Sequence, residues 1–282
     1  MILSIITINR NNRSGLEKTL DSIVSQTCTD FEQIIVDGAS TDGSLELVKD
    51  FENKFKGKLQ WVSEPDKGIY NAMNKGIRMA KGKYTMILNG GDCLANEDVV
   101  RNIYKSLEYE QYPELLYGNL IKTWSDGLKY KGGIQPDKNF TFWDFYRGTL
   151  DHDGAVIRRD LYAKLGFYDE SLKICSDWKW MMTAIVLKGV RPVYCNFDII
   201  LFDMSGISEG TENGKKIIAQ ERKQVLNELI PEYSLTDYNT FSNDVCIMQR
   251  IKRYPFAYKA VRFIERCLFK IDKWKNRKCY YR

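Results

Sequence analysis

The chain has 282 residues, 44% of them hydrophobic and 28% charged, with a formal net charge of +5. This is the make-up of a globular protein able to bury a sizeable core, as one large domain or a domain with appendages, and not of a disordered or fibrous one. Seven scattered cysteines (Cys28, Cys93, Cys175, Cys195, Cys246, Cys267 and Cys279), with no C-x-x-C pair, argue against a disulfide framework or a zinc site and for a reducing compartment.

The charge is uneven. Val245 to Arg282 carries 12 Lys/Arg against 2 Asp/Glu, leaving 30 against 35 in the rest. The body is therefore slightly acidic and the tail strongly basic. No stretch is long and apolar enough for a transmembrane helix, and the first strand begins without a basic leader or cleavage site, so a cytoplasmic protein is expected.

Ile2 to Ile8 is a continuous apolar run, as expected of a strand buried on both faces, and it ends in the polar loop Asn9 to Gly15. Leu16, Leu20, Ile23 and Val24 then fall at helical spacing, with Ser14 as the expected N-cap. Gln33 to Val36 is a second short strand, followed by the loop Asp37 to Gly43 and an amphipathic helix from about Ser44 to Phe55. Lys58 to Val62 is a third strand, and Gly68 to Ala80 a third helix entered through Glu64 to Gly68. A fourth strand, Gly82 to Leu88, runs into Asn89-Gly90-Gly91-Asp92. Four strand–helix alternations imply parallel strands with crossover helices, so that every polar strand end lies on one edge, where ligands bind in such sheets.

Glu114 to Tyr130 reads as a hairpin turning at Asp126-Gly127, and Gly132 to Gly148 as an aromatic loop. Gly154 to Arg158 is a short apolar run, Ser176 to Lys188 a helix, and Arg191 to Phe202 an extended segment. Met204 to Gly210 is a loop, Lys215 to Leu229 a helix, and Pro231 to Asn243 a linker. From Val245 to Trp274, apolar residues recur at roughly helical spacing with basic residues between them, and Pro255 is expected to kink that helix or to start a second one.

No G-x-G-x-x-G follows the first strand, and neither G-x-x-x-x-G-K-[ST] nor G-x-S-x-G occurs. Dinucleotide fingerprints, P-loops and hydrolase elbows are thereby removed. What remains is a set of blocks. Ser4 to Arg10, Val36-Asp37-Gly38-Ala39-Ser40-Thr41-Asp42-Gly43, Glu64 to Gly76 and Leu88-Asn89-Gly90-Gly91-Asp92 resemble, in order and spacing, the family 2 inverting glycosyltransferases. Ser176-Asp177-Trp178 extends the resemblance to about residue 210.

The resemblance implies an α/β, GT-A nucleotide-sugar-binding fold. A mostly parallel central sheet is flanked by helices over residues 1–210, with the nucleotide-binding part at about 1–95 and the acceptor part at about 96–210. A basic helical extension occupies 211–282. It implies transfer of a sugar from a nucleoside diphosphate, UDP foremost, to a saccharide or lipid-linked acceptor. A sugar-1-phosphate nucleotidyltransferase and an inactive sugar-binding module are the alternatives. The first of these calls for a Gly-rich basic loop after the first strand, and Asn9-Arg10-Asn11-Asn12 is not one.

Residue by residue, the resemblance assigns the donor to Thr7, Asn9, Arg10, Asp37, Asp66, Lys67, Asn71, Gly91 and Asp92. Asp37 would accept a hydrogen bond from the base, with a turn or capping Asp as the other reading. Lys67 would neutralise a phosphate unless it is simply exposed. Asp92 matches the last acid of a D-x-D signature and would hold Mg²⁺ or Mn²⁺. Two positions depart from the pattern: Gly90 stands at the usual first acid, and Met73 at a common Arg.

Asp177, with Ser176 beside it, matches the catalytic base, though an N-cap fits its position as well. His152, the only histidine, is an acceptor-side or secondary residue that binds metal or phosphate or orients a loop. Trp178 and Trp180 stack on a sugar or belong to the core. Gly206-Ile207-Ser208 matches a loop near the donor phosphates. For the basic stretch 245–282 the readings are a solvated face, nucleic acid (for which no presenting fold is evident), and an anionic membrane surface, which fits best.

Overall fold

The structure, a computed structural model, describes residues 2–124, 127–131, 139–150, 152–204 and 212–279, without side-chain placement for 131 and 272–279. Two compact units are formed, Met1–Arg222 and Lys223–Arg282.

The first unit runs β1 (Leu3–Asn9), α1 (Arg13–Val24), β2 (Phe31–Asp37), α2 (Ser44–Glu52), β3 (Leu59–Ser63), α3 (Ile69–Met79), β4 (Tyr84–Ile87), β5 (Cys93–Leu94), α4 (Val99–Tyr109), β6 (Leu115–Thr123) and β7 (Lys129–Lys131). It continues with α5 (Phe142–Arg147), β8 (Ala155–Arg158), α6 (Asp160–Leu165), α7 (Ser176–Met182), a π-helical turn (Thr183–Leu187) and β9 (Pro192–Asp203). α8 (Glu212–Leu229) crosses the boundary between the units, and α9 (Glu232–Lys252) and α10 (Pro255–Cys279) complete the second.

The strands join in the order β3-β2-β1-β4-β8-β6-β9-β5, with β7 on β6. β3, β2, β1 and β4 are parallel, in a register that pairs Asn9 with Asp37 and Asp37 with Ser63. β8 is antiparallel to both β4 and β6, whereas β9 runs parallel to β6. The reversal decides where the site lies. Because β8 runs backwards, the residues just before it lie at the same edge as the carboxyl ends of β1, β2 and β4. Because β9 runs with β6, its last residue, Asp203, comes to that edge too, and β5 pairs beside it through Cys93 and Leu201.

One face of the sheet carries Leu3, Ile5, Ile35 and Met86 against Leu16, Leu20 and Ile23 of α1, Leu47 and Val48 of α2, and Val100 and Ile103 of α4. Burying each large aliphatic side chain there contributes about 1.5–3 kcal/mol. α3 packs on the other face, so closely that a Cβ on Gly76 would lie 2.3 Å from Ile6 Cγ2. Only glycine permits that approach.

Several local expectations are corrected. The N-cap of α1 is Asn12 rather than Ser14: its Oδ1 accepts from Gly15 N at 3.1 Å while its Nδ2 donates to Gly90 O at 2.8 Å. The segment expected to be an aromatic loop contains α5, started by a reciprocal Thr141–Asp144 capping box. The expected linker is the first half of α9, with Pro231 at its N-cap. Of the two alternatives for Pro255, the start of a second helix is the one found. Part of the hairpin turn (Ser125 and Asp126) and the whole loop Gly206-Ile207-Ser208 lie outside the described residues.

Candidate active site

Parallel pairing brings the polar ends of β1 and β2 together. Asp37 is 1% exposed, and both of its oxygens are engaged. Oδ1 accepts from Asn9 Nδ2 at 3.2 Å and Ser40 Oγ at 2.5 Å, Oδ2 from Ser40 N at 2.9 Å and Ser63 Oγ at 2.7 Å. Four donors fill the four lone-pair sites of a carboxylate. Asp37 therefore ties three strand ends together, and its expected hydrogen bond to a base would have to displace one of these donors. Thr7 is likewise enclosed, its hydroxyl accepting from Gln33 Nε2 at 2.9 Å.

Beside them, Gly38 lies closely between Arg10 and Asp66. A Cβ there would meet Asp66 Oδ2 at 3.1 Å and Arg10 Cβ and Cδ at 3.3 Å. Asp66 accepts from Lys75 Nζ at 2.7 Å. Lys67 is exposed, its backbone N–H donating to Asn71 Oδ1 at 3.2 Å, and Asn71 Nδ2 reaches Glu170 at 2.7 Å. Met73 is buried in the core.

The turn after β4 is held by α1. Thr19 Oγ1 donates to Asp92 O at 2.7 Å and accepts from Gly91 N at 2.9 Å, where Gly91 has φ +120°. At position 90, where the pattern has an acid, a Cβ would lie 2.9 Å from Asn9 Oδ1 and 3.3 Å from Ile8 O. Asp92 is buried, and its Oδ1 accepts from Asp203 N at 2.8 Å. Burial, with the Asp153 carboxylate close by, pushes its pKa up to about 8, against the backbone hydrogen bond and His152.

The reversed strand β8 delivers His152 and Asp153. His152 Nδ1 lies 3.0 Å from Asp177 Oδ2, and Nε2 lies 3.3 Å from Asp153 Oδ1. Asn89 Nδ2 donates to the same Asp153 oxygen at 2.8 Å. Asp177 stands in the first turn of α7, with Cys175 as the N-cap, so the capping alternative is removed. Its Oδ1 accepts from Tyr70 of α3 at 2.7 Å. Burial opposes its charge, yet the hydrogen bonds with His152 and Tyr70 prevail and hold its pKa below the ordinary carboxylate value. Asp153 moves the other way, raised by burial.

A line of contacts thus runs Tyr70–Asp177–His152–Asp153, ending beside Asp92. Buried polar atoms without a hydrogen-bond partner among the described residues include Asn9 Oδ1, Asn89 Oδ1 and Ser176 Oγ, each next to an acid of this edge. Such orphans are uncommon in folded proteins.

Trp178 and Trp180 are core residues. Trp178 Nε1 donates to Phe145 O and Gly148 O, each at 3.0 Å, beneath the Arg222 guanidinium, and Trp180 Nε1 donates to Gly166 O at 2.8 Å. Neither offers a face to a sugar. Tyr70, Asp153 and Asp203 were missed as site residues. Tyr70 lies inside the block Glu64 to Gly76, but no local spacing reveals a partner 107 residues away.

Residues 4–166 match the profile of Glycosyl transferase family 2. A "PGL/p-HBAD biosynthesis glycosyltransferase" of Mycobacterium tuberculosis is 29% identical over 202 residues, which cover 70% of this chain and 77% of that one. Among solved structures, S. aureus TarS 1–349 in complex with UDP matches with a TM-score of 0.61 at 19% identity, covering 83% of this chain and 68% of TarS 1–349. The mannosyltransferase PcManGT from Pyrobaculum calidifontis, in complex with GDP-Man and Mn²⁺, matches with a TM-score of 0.61 at 20% identity, covering 81% and 64%. These similarities identify the α/β architecture as the GT-A fold.

Proposed function

Since the chain belongs to glycosyl transferase family 2, we propose that it moves a sugar from a nucleoside diphosphate to a saccharide or lipid-linked hydroxyl, with inversion at the anomeric carbon. Surface polysaccharide or glycolipid assembly at the cytoplasmic face of the membrane is the setting this suits. The donors named for TarS with UDP and for the mannosyltransferase with GDP-Man support a nucleotide-sugar donor. The observation that carries the reading is the line from Tyr70 to Asp153, which sets an ionised Asp177 within one edge of the sheet together with Asp92.

In this reading Asp177 is the base. The acceptor oxygen bonds to the anomeric carbon while the bond from that carbon to the diphosphate oxygen breaks, and the hydroxyl proton passes to the Asp177 carboxylate. Tyr70 and His152 keep that carboxylate charged and fixed in orientation. Arg10 and Asp66, on either side of Gly38, take the nucleoside end. Asp37 acts at one remove, by holding the strand ends.

The residues present also fit a divalent cation. Asp92, with its pKa pushed to about 8 among buried acids, is a carboxylate short of counter-charge. Among the described residues no three side chains form a ready-made ligand set, so Asp92 would share Mg²⁺ or Mn²⁺ with phosphate oxygens and water. The ion would supply positive charge against the departing diphosphate.

The test is nucleotide release from a panel of UDP- and GDP-sugars with Mn²⁺. The reading expects release with one of them, and its loss in Asp177→Asn and Asp92→Ala. Wild-type rates in Asp177→Asn would overturn the assignment of the base.

A further inference from the structure

α10 has a feature that sugar transfer does not use. At 3.6 residues per turn, Lys259, Arg262, Arg266 and Lys270 fall in a strip about 80° wide, and in the sequence Lys273 and Arg277 continue it. An adjoining strip about 140° wide carries Phe256, Ala260, Phe263, Ile264, Cys267, Leu268 and Ile271. That side is bare: Phe256 is 88% exposed, Phe263 69% and Leu268 55%. From 255 to 271 only Tyr258 and Val261, on a third strip, are half-buried. Glu265, the one acid in that span, meets Arg262 at 3.4 Å.

A water-facing helix does not need a broad apolar side, and a nucleic-acid-binding helix does not need exposed phenylalanines. No helix among the described residues is long and apolar enough to cross a bilayer. We propose that α10 lies in the plane of an anionic lipid surface, with Phe256, Phe263, Ile264, Leu268 and Ile271 at the acyl boundary and the basic strip against lipid phosphates. Charge complementarity selects the occupant. A neutral surface leaves the strip unpaired, and a second copy of the same helix sets like charge against like. The inference goes beyond the catalytic reading and does not depend on it.

The experiment is flotation of the full chain, without donor, on vesicles of phosphatidylcholine alone or mixed with phosphatidylglycerol. Binding is expected to the mixed vesicles only and to weaken as salt is raised. Arg262→Gln/Arg266→Gln/Lys270→Gln should reduce partitioning roughly a hundredfold. Phe263→Gln/Ile264→Gln/Leu268→Gln should reduce it at least about tenfold. Both variants should keep wild-type donor hydrolysis in vesicle-free solution, which reports that the first unit is folded. Failure to float, or equal binding to neutral vesicles, overturns the proposal. So does a dimer in sedimentation that only the apolar variant dissociates, because a second copy then covers the face. Retention on RNA or DNA that the apolar variant leaves intact overturns it as well.

Discussion

Tyr70 Oη donates a 2.7 Å hydrogen bond to Asp177 Oδ1 across 107 residues of sequence. The phenol sits on α3 and the carboxylate in the first turn of α7. Burial and the neighbouring carboxylate hold the Tyr70 hydroxyl protonated well above the usual phenol range. It therefore stays a donor, its single proton shared between Asp177 Oδ1 and Ile174 O, and stabilises the charged form of Asp177.

Tyr70→Phe removes that donor while keeping the ring. The pKa of Asp177 should rise, so the acid limb of the kcat–pH profile should move to higher pH. A hydrogen bond to a charged group contributes about 1.5–3 kcal/mol, so kcat at neutral pH should fall roughly tenfold. The KM for donor should hold, because the phenol faces the base and not the nucleotide edge. A pH–rate series on both proteins checks this.

His152 holds the other oxygen of Asp177 and at the same time faces Asp153. His152→Ala should leave two buried carboxylates with nothing between them. Loss of a partner from a buried charged network costs about 3–5 kcal/mol, so a lower Tm is expected together with a kcat loss of about a hundredfold or more. His152→Gln, which can still donate one hydrogen bond, should recover part of the Tm and less of the rate. Thermal melts and steady-state kinetics on the two variants separate the effects.

Asp92 links stability to pH. Its folded pKa is near 8, whereas an unfolded Asp titrates at 3.8. Between those values the folded state keeps a proton that the unfolded state has lost, so its contribution to stability falls as pH rises from about 4 to 8. In chelator, Asp92→Asn should therefore melt higher than wild type at pH 8, with the gap closing towards pH 4. Adding Mn²⁺ should raise the wild-type Tm at pH 8, because the ion replaces the proton, and leave the variant unchanged. Scanning calorimetry at the two pH values, with and without Mn²⁺, is the measurement.

Gly90→Asp would restore the first acid of the D-x-D signature, but its Cβ would press on Asn9 Oδ1 at 2.9 Å. Destabilisation of about 1–3 kcal/mol is expected, without tighter Mn²⁺ binding. Combining it with Asn9→Gly should relieve the crowding. Chemical denaturation and Mn²⁺ titration of single and double variants test the coupling.

The donor half was the legible half. Parallel strands buried on both faces read as apolar runs, and each of β1, β2 and β4 ends in a polar loop, so Asn9, Asp37 and Asp92 could be placed on one edge from spacing and resemblance. The acceptor half was harder for a specific reason. β8 and the short β5 run against their neighbours, and a four-residue strand such as Ala155–Arg158 carries no sign of its direction. Asp153 is brought in by the reversal of β8, and Asp203 by the pairing of β9 with the distant β6, so their part in the site could not be read. The four donors around Asp37 were not legible, because an acid at a strand end looks alike in sequence whether it faces a ligand or neighbouring hydroxyl and amide groups. Trp178 and Trp180 were ambiguous until their indole N–H groups had partners.

The direction of β8 also bears on the order in which the molecule comes together. Pairing Thr85 with Ile157 requires the chain to return across some seventy residues, a slow closure compared with the short β1-α1-β2 windings. On the proposed function, a nascent or partly opened molecule lacking that pairing would still have the β1, β2 and β4 ends to which the nucleotide is assigned. It would be able to clasp an activated sugar but not to turn an alcohol into an attacker, so a donor held too early would wait intact rather than be spent on water.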